Sequence, residues 1–286
     1  MNDTQYQEAY QAIQVKDLSR ISAAKDQIHQ AAQLVSAVSR HLLAHHPWDI
    51  FGNLEYRPDL GMFLGWSVPG RFELRAGLDL DTLSLKLTDP MGGPYRDFPL
   101  SGRTFEEAFQ WLKQEIADFG IDSEKLKADL PYDIPQYPQA DGAPFQLDDP
   151  EAFAEVRRGF DNARHWLEYV SKKHALWQPI KAWPHHFDIS SRRRMDNGAW
   201  HMGVGYSPGG DHNYPEPYYH LTCYPSDGVD KENLPELTKG LRWHKEKWLG
   251  VALLWSDLKD EKPAEQARMA LEMAGSGMEA LEKAKS

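Results

Sequence analysis

The stretch from Trp183 to Pro225 holds the chain's densest set of groups able to move protons or bind a metal. Five of the twelve histidines lie there, His185, His186, His201, His212 and His220, beside Asp188, Asp211 and Glu216. Imidazole titrates near neutrality and ligates metals, and a neighbouring carboxylate fixes its tautomer. The mix therefore suits general acid–base work or a divalent ion such as zinc, manganese or iron. If the protein is an enzyme, the expected catalytic set is His186, Asp188, His212 and Glu216. In that set His186 or His212 is ligand or general base, Asp188 the orienter, and Glu216 a second acid–base group or ligand. The candidate metal ligands are His186, His212 and Glu216.

These groups need a scaffold, and the local pattern predicts a strand meander. Asn197-Gly198 is a strong hairpin signal of the type I′ kind. Taken as a two-residue loop, it pairs Arg194 with His201, Arg192 with Gly203 and Ser190 with Gly205. One face then carries His186, Asp188, Ser190, Arg192 and His201. The other receives Phe187, Ile189, Met195, Trp200, Met202, Val204 and Tyr206, and a one-residue slip would mix the two sets. A third strand places Tyr218, His220, Thr222 and Tyr224 on the polar side and Tyr219, Leu221 and Cys223 on the apolar side. Gly203 and Gly205 leave the middle strand bare, as where a ligand, or else packed backbone, approaches closely. The candidate ligand-binding residues are Trp183, Arg192, His201, Gly203, Gly205, Tyr218 and His220. The loop-end cluster of His186, Asp188, Asp211, His212 and Glu216 is the preferred site, because functional groups concentrate on loops held by rigid elements.

Other motifs fail on physical grounds. Gly205-Tyr206-Ser207-Pro208-Gly209 matches the G-x-S-x-G pattern, but Pro208 has no N–H to give an oxyanion, and the following glycines and prolines cannot begin the required helix. No H-E-x-x-H, P-loop or cysteine zinc pair occurs. Cys223 falls on the apolar face and reads as core. His45-His46-Pro47-Trp48-Asp49 echoes Pro184-His185-His186-Phe187-Asp188, and its histidines sit where they complement a helix dipole.

The net charge is −11, the wrong sign for neutralising nucleic-acid phosphates, so no nucleic-acid partner is expected. No apolar run approaches the roughly 20 residues that cross a membrane, and the first residues lack a secretory signal pattern. A single cysteine fits a reducing cytoplasm. Most of the ten tryptophans are expected in the core, with others available to line a ligand cleft.

Helical spacing of Ile21, Ala24, Ile28, Ala31, Val35 and Val38 predicts a helix over 18–46. Alternation predicts antiparallel strands within 54–88, including Phe72–Leu80 and Thr82–Thr88. Thr104 and Glu107 form a capping box for a helix over 104–119. The Pro-rich 131–150 reads as a crossing between an N-terminal part, 1–130, and a C-terminal part, 151–286. In the latter, a helix over 150–175 precedes strands near 183–192, 199–206 and 217–224, a helix over 234–259 and a last helix over 263–284. The fold class is α+β: antiparallel sheets packed against long helices, in two similar helix–strands–helix halves. The last helix is a candidate homodimer element.

Trp183-Pro184-His185-His186-Phe187-Asp188 and Ser207-Pro208-Gly209 through Pro215-Glu216-Pro217-Tyr218 resemble an uncharacterised bacterial family, one of the domains of unknown function. His45-His46, Gly120-Ile121-Asp122, Pro131-Tyr132-Asp133-Ile134-Pro135 and Pro144-Phe145 come in a similar order, so the likeness spans most of the chain. It implies a shared fold and no mechanism. The functional expectation is a protein that binds a small polar molecule, through a divalent metal in one version, over the 183–220 polar face. The rival is a non-enzymatic module in which Trp183, Tyr214, Tyr218, Tyr219 and the prolines form a rigid aromatic surface and the histidines are structural.

Overall fold

The structure is a computed structural model and describes residues 1–176 and 178–285. It is α+β and divides into two compact units. The 19–157 unit comprises Ser19–Arg157 with Lys181–Phe187; the 188–286 unit comprises Met1–Leu18, Arg158–Ile180 and Asp188–Ser286. The Pro-rich 131–150 stretch lies inside the first of these.

Helix α1 (Asp3–Ala9) precedes α2 (Leu18–Leu42), and the predicted apolar stripe of α2 from Ile21 to Val38 is buried. Strands β1 (Glu55–Arg57), β2 (Met62–Leu64), β3 (Arg75–Asp79), β4 (Ser84–Thr88) and β5 (Pro94–Pro99) form an antiparallel sheet in chain order. Phe72, expected to open a strand with its ring inward, is exposed instead, in the turn before Leu74 bridges Val68. Strand β5 escaped the pattern because nearly all of it is exposed at a sheet edge, and the prolines at its ends limit further pairing there. Helix α3 (Phe105–Asp118) starts at the predicted Thr104–Glu107 capping box.

Helix α4 (Pro150–His174) matches the helix expected over 150–175. Strand β6 (Lys181–Trp183) belongs to the 19–157 unit, where Ala182 and Leu54 exchange two backbone hydrogen bonds of 2.8 Å. In the 188–286 unit, β7 (Asp188–Met195), β8 (Trp200–Ser207) and β9 (Tyr218–Tyr224) form the predicted meander. Arg194 opposes His201, Arg192 opposes Gly203, Ser190 opposes Gly205, and His220 opposes Gly205 from the other side, as the pleat argument requires. The hairpin turn differs from the two-residue form. Asp196, Asn197 and Gly198 all take left-handed φ, of 45°, 53° and 97°, and pairing stops at Met195 and Trp200. The Trp200 indole donates to Asp196 at 2.8 Å and holds that residue in the loop. The register survives because the longer loop adds one residue to each side.

The expected helix over 234–259 is not one. Residues 242–254 supply β10 (Arg242–His244) and β11 (Leu249–Leu254), and only α5 (Trp255–Leu258) is helical. The sheet order is β7-β8-β9-β11-β10. Every residue of β11 is buried, so both faces of the strand are apolar, and such a run cannot be told from a buried helix by periodicity. Gly250 marks the strand: a Cβ there would collide with the Leu221 carbonyl and reach the Trp248 ring at 2.6 Å. The last predicted helix is α6 (Pro263–Glu272) and α7 (Met278–Lys285), joined by a π-helical turn over Met273–Gly277. On the inner face of the meander, Tyr219 meets Trp166 of α4 at 5.1 Å, and the Trp166 indole donates to the Ala270 carbonyl of α6 at 2.8 Å.

Gly250→Ala tests the strand assignment. Backbone on the neighbouring strand cannot yield cheaply, so urea unfolding should show a loss of about 2 kcal/mol, within the overpacking range. A helical Gly250 would instead gain stability from alanine.

Candidate functional site

Helix α2 builds one side of a site in the 19–157 unit with a polar stripe. His29, Gln33, Ser36 and Arg40 recur at i, i+4, i+7 and i+11, one helical face. All four are buried or nearly so, with Arg40's side chain 8% exposed. The chain then folds three separate segments onto them.

The first segment is Trp183–Phe187. The Trp183 carbonyl accepts from His186 N at 3.2 Å and Phe187 N at 2.7 Å, which closes a tight turn with Phe187 at φ 54°. The Pro184 carbonyl points to α2 and accepts from His29 Nε2 at 2.6 Å and Gln33 Nε2 at 3.0 Å. The His29 ring stacks on Phe187, with centroids 4.6 Å apart and planes 8° apart. Burial drives the His29 pKa from 6.5 down to about 3, so the ring is neutral. A neutral ring donates from only one nitrogen. Nε2 faces a carbonyl and must donate; Nδ1 therefore accepts from the Tyr137 hydroxyl at 2.8 Å. Burial raises the Tyr137 pKa, which keeps that phenol protonated for the role.

The second segment is His45–Asn53. Arg40 Nε lies 3.0 Å from both Asp49 carboxylate oxygens, and Asp49 sits at φ 46°. Ser36 donates to the Gly52 carbonyl and Ser39 to the Phe51 carbonyl, each at 2.6 Å. A Cβ at Gly52 would collide with Asp49 Oδ2 and come within 2.6 Å of Arg40 Nη2, so a side chain there would have to displace that ion pair. Asn53 is 4% exposed, and its Oδ1 accepts from the Trp66 indole at 3.0 Å. The third segment brings Tyr132, whose hydroxyl accepts from Arg40 Nη2 and donates to Gln33 Oε1, both at 2.9 Å.

Between these segments lies a cavity of about 210 Å³. Its walls include Trp48, Asp49, Asn53, Tyr132, Trp183 and His185, with Gly52 and Pro184 between them. The His185 ring centroid is 5.4 Å from that of Tyr132 at 45°, and 5.9 Å from that of Trp183 at 82°. Trp48, 81% exposed, stands at the rim. The arrangement offers aromatic faces, one carboxylate and one carboxamide.

The other expected site residues are placed as follows. His186 is exposed beside His185, and Asp188 is half-buried at the start of β7. On the half-open face of the meander, Arg192, Gly203 and Thr222 form one cross-strand row, and Ser190, Gly205 and His220 the next. The polar set is thus on one face, but the glycines are not bare. Thr222 lies over Gly203, and the His220 ring comes within 2.6 Å of a Cβ built on Gly205. Neighbouring side chains fill the space that a ligand was expected to use.

The 207–217 loop is organised by Asp211. Its carboxylate accepts from Ser207 Oγ at 3.1 Å, Tyr218 OH at 2.8 Å, Asn213 N at 2.7 Å and Tyr214 N at 3.0 Å. Ser207 is thereby a structural hydroxyl at the end of β8, with no helix after it, and no nucleophile elbow forms. Glu216 accepts from the backbone N of Ser256 at 2.6 Å and its hydroxyl at 3.1 Å, which caps the first turn of α5. His212 is exposed, and its carbonyl accepts from Lys247 Nζ at 3.5 Å. Among the described residues no three His, Cys, Asp or Glu side chains stand together as a metal-ligand set, so His186, His212 and Glu216 do not form the expected triad. Tyr218 and Tyr219 are each 4% exposed and cannot contribute to an aromatic surface.

No protein-family model matches the chain, and neither a curated protein nor a solved structure shows significant similarity to it. Of the cavity residues, only Trp183 stood in the expected set. The echo between His45–Asp49 and Pro184–Asp188, set aside above as a helix-dipole feature, joins the two segments that meet there, and the polar residues spaced at 29, 33, 36 and 40 held the signal for the helix face behind them. Asn53 and Tyr132 carried none.

Neutral His29 gives a pH test. The unfolded chain takes up a proton below about pH 6.5, which the folded chain refuses until about pH 3. Stability is thus complete above 6.5 and falls on acidification, by up to about 1.4 kcal/mol per pH unit. Urea unfolding between pH 7.5 and 5 should show that slope, reduced in His29→Gln. Equal slopes in both proteins would mean that His29 titrates normally in the fold.

Proposed function

We propose that this protein binds a small, uncharged, polar molecule with an apolar face in the cavity bounded by Trp48, Trp183, Tyr132 and His185. The observation that carries the reading is the convergence of aromatic side chains from three separated segments around one cavity, all tied to a single polar stripe on α2. Ligand sites combine apolar and aromatic walls with a few placed polar groups. Here the polar groups are Asp49 and Asn53. Arg40 already balances the Asp49 charge, so the wall favours neither a cation nor an anion. At about 210 Å³ the cavity is smaller than the roughly 300–1,000 Å³ of sites for drug-sized ligands, and suits a single ring.

The acid–base reading over His186, Asp188, His212 and Glu216 has less support. Glu216 is committed to α5, and Asp211, the other loop carboxylate, to its own loop. A binding role without covalent chemistry needs none of them.

Thermal-shift and intrinsic-fluorescence titration against a panel of neutral polar metabolites should find a compound that raises the melting temperature and perturbs tryptophan emission. Trp183→Ala should weaken that compound at least tenfold, about 1.4 kcal/mol. A compound that binds Trp183→Ala as tightly as the parent protein would place the site elsewhere.

A further inference from the structure

Resting on that reading, we infer that the ligand is a hexopyranose sugar ring. Three features of the cavity select it. The first is the pairing of a donor with an acceptor. The Trp66 indole donates to Asn53 Oδ1, which fixes the amide orientation and leaves Nδ2 as the group Asn53 has to offer. No acceptor for Nδ2 exists among the described residues, although Asn53 is 96% buried, its exposure being 4%, and lines the cavity. That donor opens on the cavity, where a ligand oxygen can accept from it. Across the same cavity Asp49, 39% exposed at its side chain, presents carboxylate lone pairs that Arg40 does not fill. Neighbouring sugar hydroxyls each donate and accept, so one ring can take a hydrogen bond from Asn53 and give one to Asp49.

The second feature is the disposition of the rings. The pairs in contact at the cavity meet at 45° and 82°. Rings that neighbour one another there are tilted or edge to face, so a ligand meets their faces singly. A pyranose has one C–H face that lies on a single aromatic ring and an equator of hydroxyls that reaches the polar groups. Trp48 at the rim and Trp183 inside are the available platforms. The third feature is charge. A quaternary ammonium would gain from aromatic faces, but it would sit beside a carboxylate already paired with a buried guanidinium. A carboxylate or phosphate ligand would find no cation among the lining residues and could give no proton to the open edge of Asp49.

The test is calorimetric titration of the full chain with methyl glycosides of glucose, galactose, mannose and N-acetylglucosamine, alongside guanosine, adenosine and choline. At least one glycoside should bind. Asn53→Asp keeps an acceptor for the Trp66 indole and removes the donor; it should weaken that glycoside at least tenfold. Trp48→Ala alters a rim residue that carries no core packing, so it reports on the site even if the Asn53 variant is unstable. It should weaken the same glycoside about tenfold. Binding of guanosine, adenosine or choline, lost in Trp48→Ala, with no glycoside bound, would overturn the sugar assignment and leave the cavity reading standing. A glycoside unaffected by both substitutions would overturn the assignment of the site. No binding by any compound, with no change in tryptophan emission, would overturn both.

Discussion

The site in the 19–157 unit depends on one neutral imidazole. His29 sits in the middle of a long helix, and it joins a phenol on one side to a proline carbonyl on the other. Proline has no N–H, so the Pro184 turn cannot be fastened at that residue except through its carbonyl. The carbonyl is buried and needs donors. Only an uncharged ring gives one proton and takes another, and the charged form would leave the Tyr137 hydroxyl facing a second donor. The low pKa of His29 is therefore part of the construction. Its stacking on Phe187 adds an apolar clamp to the same turn.

From that contact the stripe on α2 continues toward the helix C-terminus, and each turn of the helix fastens another piece. Gln33 holds Pro184 and Tyr132 together; Ser36 holds Gly52; Arg40 holds Asp49 and Tyr132. Helices of soluble domains usually bury apolar stripes. Here a polar stripe is buried beside the apolar one, and the groups that satisfy it come from loops. Loops fastened this way are preorganised, so a ligand need not order them on binding. The 188–286 unit uses its polar residues differently. Asp211 and Glu216 spend their oxygens on backbone N–H groups and hydroxyls, which fixes the 207–217 loop and the start of α5.

Much of the fold was legible in the residues. The meander register followed from the pleat, because Ile189, Met202, Val204 and Leu221 could be buried together in only one pairing. The helices α2, α3 and α4 announced themselves by spacing and caps. Strands β10 and β11 did not, because a wholly buried strand has no polar face to set its period, and β5 did not, because it has almost no buried face. The site was legible only in part. Histidine density drew attention to 183–220, and Trp183 does line the cavity, but His212 and Glu216 point to solvent or to a helix end. Density of reactive types says nothing about which hydrogen bonds they already make. The Asp49–Arg40 and Asn53–Trp66 pairs lie nine and thirteen residues apart and follow no spacing motif, and only the fold brings them together.

The most direct test of the cavity as the binding site is a two-dimensional NMR titration of the tryptophan indole N–H signals, assigned by substitution. The account predicts that ligand shifts the Trp48 and Trp183 signals together, with one binding constant, while the Trp166 and Trp200 signals stay in place. Saturable binding that moves Trp166 or Trp200 and leaves Trp48 and Trp183 unchanged would contradict it.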